Sequence, residues 1–181
     1  TTGSSKLQTI AVHNVMGNMN LASYTKLTSV DFIGVTDPSK STPTALTSQV
    51  NISTAGDLTT AKIAGKFATV SLTGVTDLTS ITTEGQIQDF TLSDTNSLET
   101  FTLGHTGLSG FSSTSDLNAS NKTKLDINTN SALTSFTADK LTALGSLEIY
   151  DNSSLTAFTL NESLAIGTNT SAGKAATENV L

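Results

Sequence analysis

The sequence predicts an all-β solenoid (a β-helix-like fold) of about eight coils, with 20–22 residues per coil. Three observations predict it. Gly34-Val35-Thr36-Asp37 recurs verbatim as Gly74-Val75-Thr76-Asp77. Apolar residues return at a 20-residue step in several columns. Within each repeat, two short apolar-x-apolar segments are separated by Gly, Asn, Asp, Ser and Thr, the residues of turns.

The columns justify the elements in order. Leu7, Leu27, Phe67 and Ile87 share one, with Thr47 the polar exception. Ile10, Val30, Val50, Val70 and Phe90 form a second. Val12, Phe32, Ile52, Leu72 and Leu92 form a third, and Val15, Val35, Ala55 and Val75 a fourth that ends in Thr95. The second and third columns alternate as a strand does, one side chain inward and the next outward. The outward positions between them are Ala11, Asp31, Asn51, Ser71 and Thr91. Leu58, Leu78 and Leu98, followed by Ala61, Ile81 and Phe101, mark a second face. Toward the C-terminus the step lengthens to 22: Leu125 and Ile127 match Leu147 and Ile149, and Leu133 and Phe136 match Leu155 and Phe158. Between residues 108 and 121 the register is lost. The expected organisation is a lead over residues 1–6, one repeat domain over 7–166, and a polar tail or linker over 167–181.

Composition narrows the function classes. Hydrophobic content of 36% and aromatic content of 5% would underfill a compact globule, whereas a thin repeat interior needs only a few apolar residues per repeat. All nine basic residues are lysines and the net charge is −6, which speaks against gripping nucleic-acid phosphates or an anionic membrane. No apolar run is long enough to span a membrane. Cysteine is absent, which removes disulfides, thiolate metal sites and cysteine nucleophiles. Abundant Ser and Thr favour an extracellular setting: a cell surface, a cell wall or a virion.

The segment from Leu141 to Phe158, reading L-T-A-L-G-S-L-E-I-Y-D-N-S-S-L-T-A-F, resembles a repeat of the receptor L-domain group of leucine-rich-repeat proteins. The resemblance is clearest over residues 123–160. It implies a turn role for Asn152 and a binding or surface role for the chain.

No constellation of catalytic residues stands out. His13 and His105 are the only imidazoles, each in a turn-like context. Carboxylates could work in pairs on a polysaccharide, and Asp31, Asp89, Asp126 and Glu148 occupy outward positions. They fall in different repeats, so the expectation is no enzyme and no cofactor. Asp37, Asp57 and Asp77 share a column in which a ladder of calcium ions would find carboxylates about 5 Å apart. The plainer reading is a column of turns, each Asp capping its own bend.

The leading expectation is a non-enzymatic extracellular module for recognition or adhesion. Its binding face would carry Asp31, Asn51, Ser71, Thr91, Asp126 and Glu148, and its ligand would be a protein or a glycan. The alternative is a structural subunit of a filament, capsid or tail, meeting neighbouring subunits or domains through uncapped ends. A polysaccharide-degrading enzyme ranks third.

Overall fold

The computed structural model describes residues 6–15, 17–22, 24–34, 48–53, 55–106, 124–141 and 143–166. Its elements in chain order are β1 (Thr9–Val15), β2 (Asn18–Asn20), β3 (Ser29–Gly34), β4 (Gln49–Ser53), β5 (Thr60–Ala64), β6 (Lys66–Thr73), β7 (Ser80–Thr83) and β8 (Gly85–Ser93). They continue with β9 (Thr100–Thr102), β10 (His105–Thr106), β11 (Lys124–Asn128), β12 (Ser135–Ala138), β13 (Ala143–Leu144), β14 (Ser146–Tyr150), β15 (Ala157–Leu160) and β16 (Ala165–Ile166). No helix occurs among the described residues.

The strands sort into four parallel sheets. One has four strands in the order β1-β3-β5-β7. The largest has seven, in the order β14-β11-β8-β6-β4-β2 with β10 also on β8. A third has the order β15-β12-β9, and β13 pairs with β16. This overturns the expected closed column of about eight coils: the strands form separate, open parallel sheets. All-parallel pairing is the habit of α/β proteins, where helices cover the faces. Here the chain instead alternates between sheets, and each covers the other's apolar side.

The reason for the correction lies in the spacing. β1 pairs with β3 at a 20-residue offset, but β3 pairs with β5 at 31, as Val30↔Ala61 shows. Likewise β8 pairs with β11 at 35, as Phe90↔Leu125 shows, and β11 with β14 at 22. The 20-residue column Ile10, Val30, Val50, Val70 therefore mixes two sheets. Val30 lies between Ile10 and Ala61, whereas Val50 lies between Met19 and Val70. The two Gly-Val-Thr-Asp copies also part company. Gly34 ends β3, in the four-stranded sheet. Gly74 follows β6, in the seven-stranded sheet, and its N–H donates to Ser93 O. Val35, Asp37 and residues 108–121 lie outside the described residues.

The true rows are strongly apolar. Met19, Val50, Val70, Phe90, Leu125 and Leu147 pair in sequence across the seven-stranded sheet, and Ile52, Leu72, Leu92, Ile127 and Ile149 run beside them. Val50, Ile52, Val70, Leu72 and Leu92 are fully buried. Phenylalanines make a tilted stack, Phe90–Phe101 and Phe101–Phe136 at 5.6 Å and Phe136–Phe158 at 5.5 Å between ring centres. Each such aromatic contact adds about 0.5–1.5 kcal/mol beyond burial.

One corner demands glycine. β5 passes to β6 through Gly65 alone, and β7 to β8 at Glu84-Gly85. Gly65 and Gly85 hold φ of +96° and +88°, in the left-handed region. A Cβ on Gly85 would stand 2.4 Å from Gly65 O, and one on Gly65 2.6 Å from Gly34 O. The glycines thus stack backbone on backbone. Gly85→Ala is expected to cost about 1–3 kcal/mol in urea unfolding, while Gly56→Ala, whose Cβ would meet nothing nearer than 3.9 Å, stays within about 0.5 kcal/mol.

Candidate recognition face

The seven-stranded sheet turns its polar alternate side chains away from the apolar rows, and Ser93, Asp126 and Asn128 among them are buried. One row reads Asn20, Asn51, Ser71, Thr91, Asp126, Glu148, each paired in register with the next. Five of the six residues expected on a binding face, Asn51, Ser71, Thr91, Asp126 and Glu148, are thus brought into one line. Asp31 is not among them: it lies on β3 between Ala11 and Lys62, in the four-stranded sheet. Its Oδ1 is buried without a hydrogen-bond partner. Asn20 was missed because its offset from Asn51 is 31 rather than 20. A second row, Asn18, Gln49, Thr69, Asp89, Lys124, Ser146, and a third, Ser53, Thr73, Ser93, Asn128, Tyr150, flank the first.

Charge gathers where β8, β11 and β14 meet. The Lys124 ammonium lies 3.2 Å from Asp126 Oδ2 and 3.2 Å from Glu148 Oε2. The Lys124 backbone N–H donates to Asp89 Oδ1 at 3.1 Å. Asn128 Nδ2 donates to Asp126 Oδ1 at 2.6 Å, and Ser93 Oγ donates to Asn128 Oδ1 at 2.8 Å. The outward carboxylates Asp89, Asp126 and Glu148 sit in different repeats, so their meeting at Lys124 was not expected. The 35- and 22-residue offsets bring them together. Burial pushes the Asp89 carboxyl above its ordinary value, against the opposing pull of the Lys124 N–H and ammonium. For Lys124, burial pulls the ammonium down, and its bonds to Glu148 and Asp126 outweigh that and hold it above its ordinary value.

The edges of the sheets are built by side chains that reach between layers. Asn130 is fully buried. Its Oδ1 accepts from the Thr95 N–H at 3.1 Å and the Thr95 hydroxyl at 2.7 Å, and its Nδ2 donates to Leu92 O at 3.1 Å. Asn152 repeats the pattern one layer on. It accepts from the Asn130 N–H at 3.0 Å and donates to Ile127 O at 2.9 Å. At another edge, the hydroxyls of Thr28, Thr59, Thr79, Thr134 and Thr156 each donate to a backbone carbonyl of the preceding layer, at 3.0–3.3 Å. Part of the threonine abundance is therefore structural.

Of the Asp column, Asp57 and Asp77 hold equivalent places in turns whose following strands pair at a 20-residue step. Asp37 lies outside the described residues. Asp57 Oδ2 is 2.9 Å from Lys26 Nζ, and Asp77 Oδ1 accepts from the Thr76 hydroxyl at 3.4 Å. Among the described residues no three His, Asp or Glu gather as metal ligands. His13 is exposed on β1 and His105 opens β10.

No family model, no curated protein and no solved structure matches the chain.

Two outcomes test this description. Asn130→Ala strands the buried Thr95 N–H and hydroxyl, at about 1–3 kcal/mol for each orphan, and is expected to cost about 2–4 kcal/mol in urea unfolding. Asn152→Ala, less buried, costs less. Asp89 is more readily protonated folded than unfolded, so its charge opposes folding once pH exceeds its folded pKa, and this penalty disappears as pH falls below the ordinary value of 3.8. Asp89→Asn keeps the acceptor for Lys124, so it should raise the urea midpoint at pH 7, the gain shrinking toward zero near pH 3.

Proposed function

We propose that the chain is a non-enzymatic extracellular recognition module that binds glycans on a cell surface, cell wall or virion. The observation that carries this reading is the in-register polar ribbon Asn20-Asn51-Ser71-Thr91-Asp126-Glu148 with its two flanking rows. Neighbouring parallel strands lie about 4.8 Å apart. The ribbon thus offers the amides of Asn20 and Asn51, the hydroxyls of Ser71 and Thr91 and the carboxylate of Glu148, with Asp126 buried between Thr91 and Glu148, chemistry suited to the hydroxyls of a repeating sugar. Side chains held by a sheet lose little freedom on binding, which favours preorganised recognition.

The position of Lys124 supports a binding rather than a hydrolytic role. Sugar hydrolysis by paired carboxylates needs space between them for the scissile oxygen or a water. The Lys124 ammonium occupies that space between Asp126 and Glu148, bonded to both. The likeness of residues 141–158 to receptor L-domain repeats points the same way, and so does the Ser- and Thr-rich composition.

A glycan array probed with the 181-residue chain is expected to show selective binding to a subset of polysaccharides. Asn51→Lys and Glu148→Lys, both at exposed positions, should each weaken the best hit at least tenfold with an unchanged circular dichroism spectrum. Thr102→Lys, on another sheet, should leave it intact. Absence of any glycan hit, or equal loss with Thr102→Lys, refutes the reading.

A further inference from the structure

The two ends of the stacked strands differ in charge, and each offers an edge strand with partly buried apolar residues. At the N-terminal end β1 is an edge strand, paired only with β3 among the described residues. At the other end β15 is an edge strand, paired only with β12 among the described residues. Phe158 on β15 is 37% exposed, which for a ring stacked on Phe136 leaves one face uncovered. Leu155 and Leu160 beside it are only partly buried, as are Ile10 and Val12 on β1.

We propose that β1 of a second copy of this chain adds in parallel to the edge of β15, building a head-to-tail assembly. Three observations carry it. Both edges belong to parallel ladders, so a copy translated along the stacking direction meets β15 with the strand polarity that β12 already shows it. The rows supply the register: Ile10, Val30, Ala61 and Ile81 pair in one sheet and Phe101, Phe136 and Phe158 in another, so a second copy that continues the second row with the first sets Ile10 over Phe158 and Val12 over Leu160. The charges are complementary as well. Residues 1–27 hold Lys6, His13 and Lys26, the last paired with Asp57, and no carboxylate, whereas residues 141–166 hold Asp151 and Glu162, besides Glu148 that Lys124 neutralises, and no basic residue.

Joining unlike ends is a heterologous contact. It does not close on itself after one step, so it grows into linear chains rather than stopping at a symmetric dimer. Open parallel edges are known liabilities for such pairing, and here neither carries a proline or an inward charge to block it. The inference does not rest on the recognition face, which lies on the outward side of a different sheet.

Sedimentation velocity on the full chain from micromolar to near-millimolar concentration tests it. The expected result is a sedimentation coefficient that climbs with concentration through successive oligomers, and association at least tenfold weaker in 0.5 M salt than in 25 mM salt. Ile10→Glu disables only the head and Phe158→Lys only the tail. Each alone should remain monomeric, and an equimolar mixture should form one heterodimer and nothing larger. The double variant Asp151→Asn/Glu162→Gln removes two exposed charges, and Asn suits the φ of +54° at residue 151; it is expected to weaken association at least threefold while the circular dichroism spectrum is kept. A strict monomer at every concentration overturns the proposal. Self-association of Ile10→Glu at wild-type strength, the signature of a symmetric tail-to-tail dimer, overturns it too, as does a mixture that stays monomeric.

Discussion

The structure depends on one constraint: every strand must pair in parallel with the strand one repeat away, so that like side chains lie over like. Parallel pairing cannot be made by a tight hairpin, and here no helix among the described residues makes the crossover. The chain crosses instead through the facing sheet and returns. Apolar rows result on the inside, Val50 over Val70 over Phe90, and polar rows on the outside, Asn51 over Ser71 over Thr91. Backbone groups that leave the ladders at corners are met by Asn130, Asn152 and the threonine hydroxyls. Removing in-register pairing would strand all of these at once.

Much of this was legible in the sequence, and the reason is physical. A row of equivalent buried positions accepts only apolar residues, so Val50, Val70 and Phe90, or Leu58 and Leu78, reveal their step directly. The 22-residue step from Leu125 to Leu147 was readable for the same reason. The sheet to which a strand belongs was not. Strands of both facing sheets read apolar-x-apolar, so β3 and β4 look alike, and the 20 residues from Val30 to Val50 mimic a repeat although the two valines belong to different sheets. The expected closed column arose from that mimicry.

The polar rows were partly legible. Alternation alone groups Asn51, Ser71 and Thr91, which pair in one row. Asp31 was assigned to the same face because the step was taken as constant across the 31-residue offset. The Lys124 cluster was hidden, since its members come from offsets of 35 and 22. Corner chemistry was hidden as well: Gly34, Gly65 and Gly85 form a stack only once the register is known, and threonine hydroxyls bonding to carbonyls leave no pattern distinct from surface threonines.

The offsets of 31 and 35 residues stand beside neighbours of 20 and 22 without any slip in the strand partners. The ladder is therefore indifferent to how much polypeptide intervenes between β3 and β4 or between β10 and β11. Partners are thus chosen by the side-chain rows they bring together and not by contour length, so chains of unequal length can share one ladder.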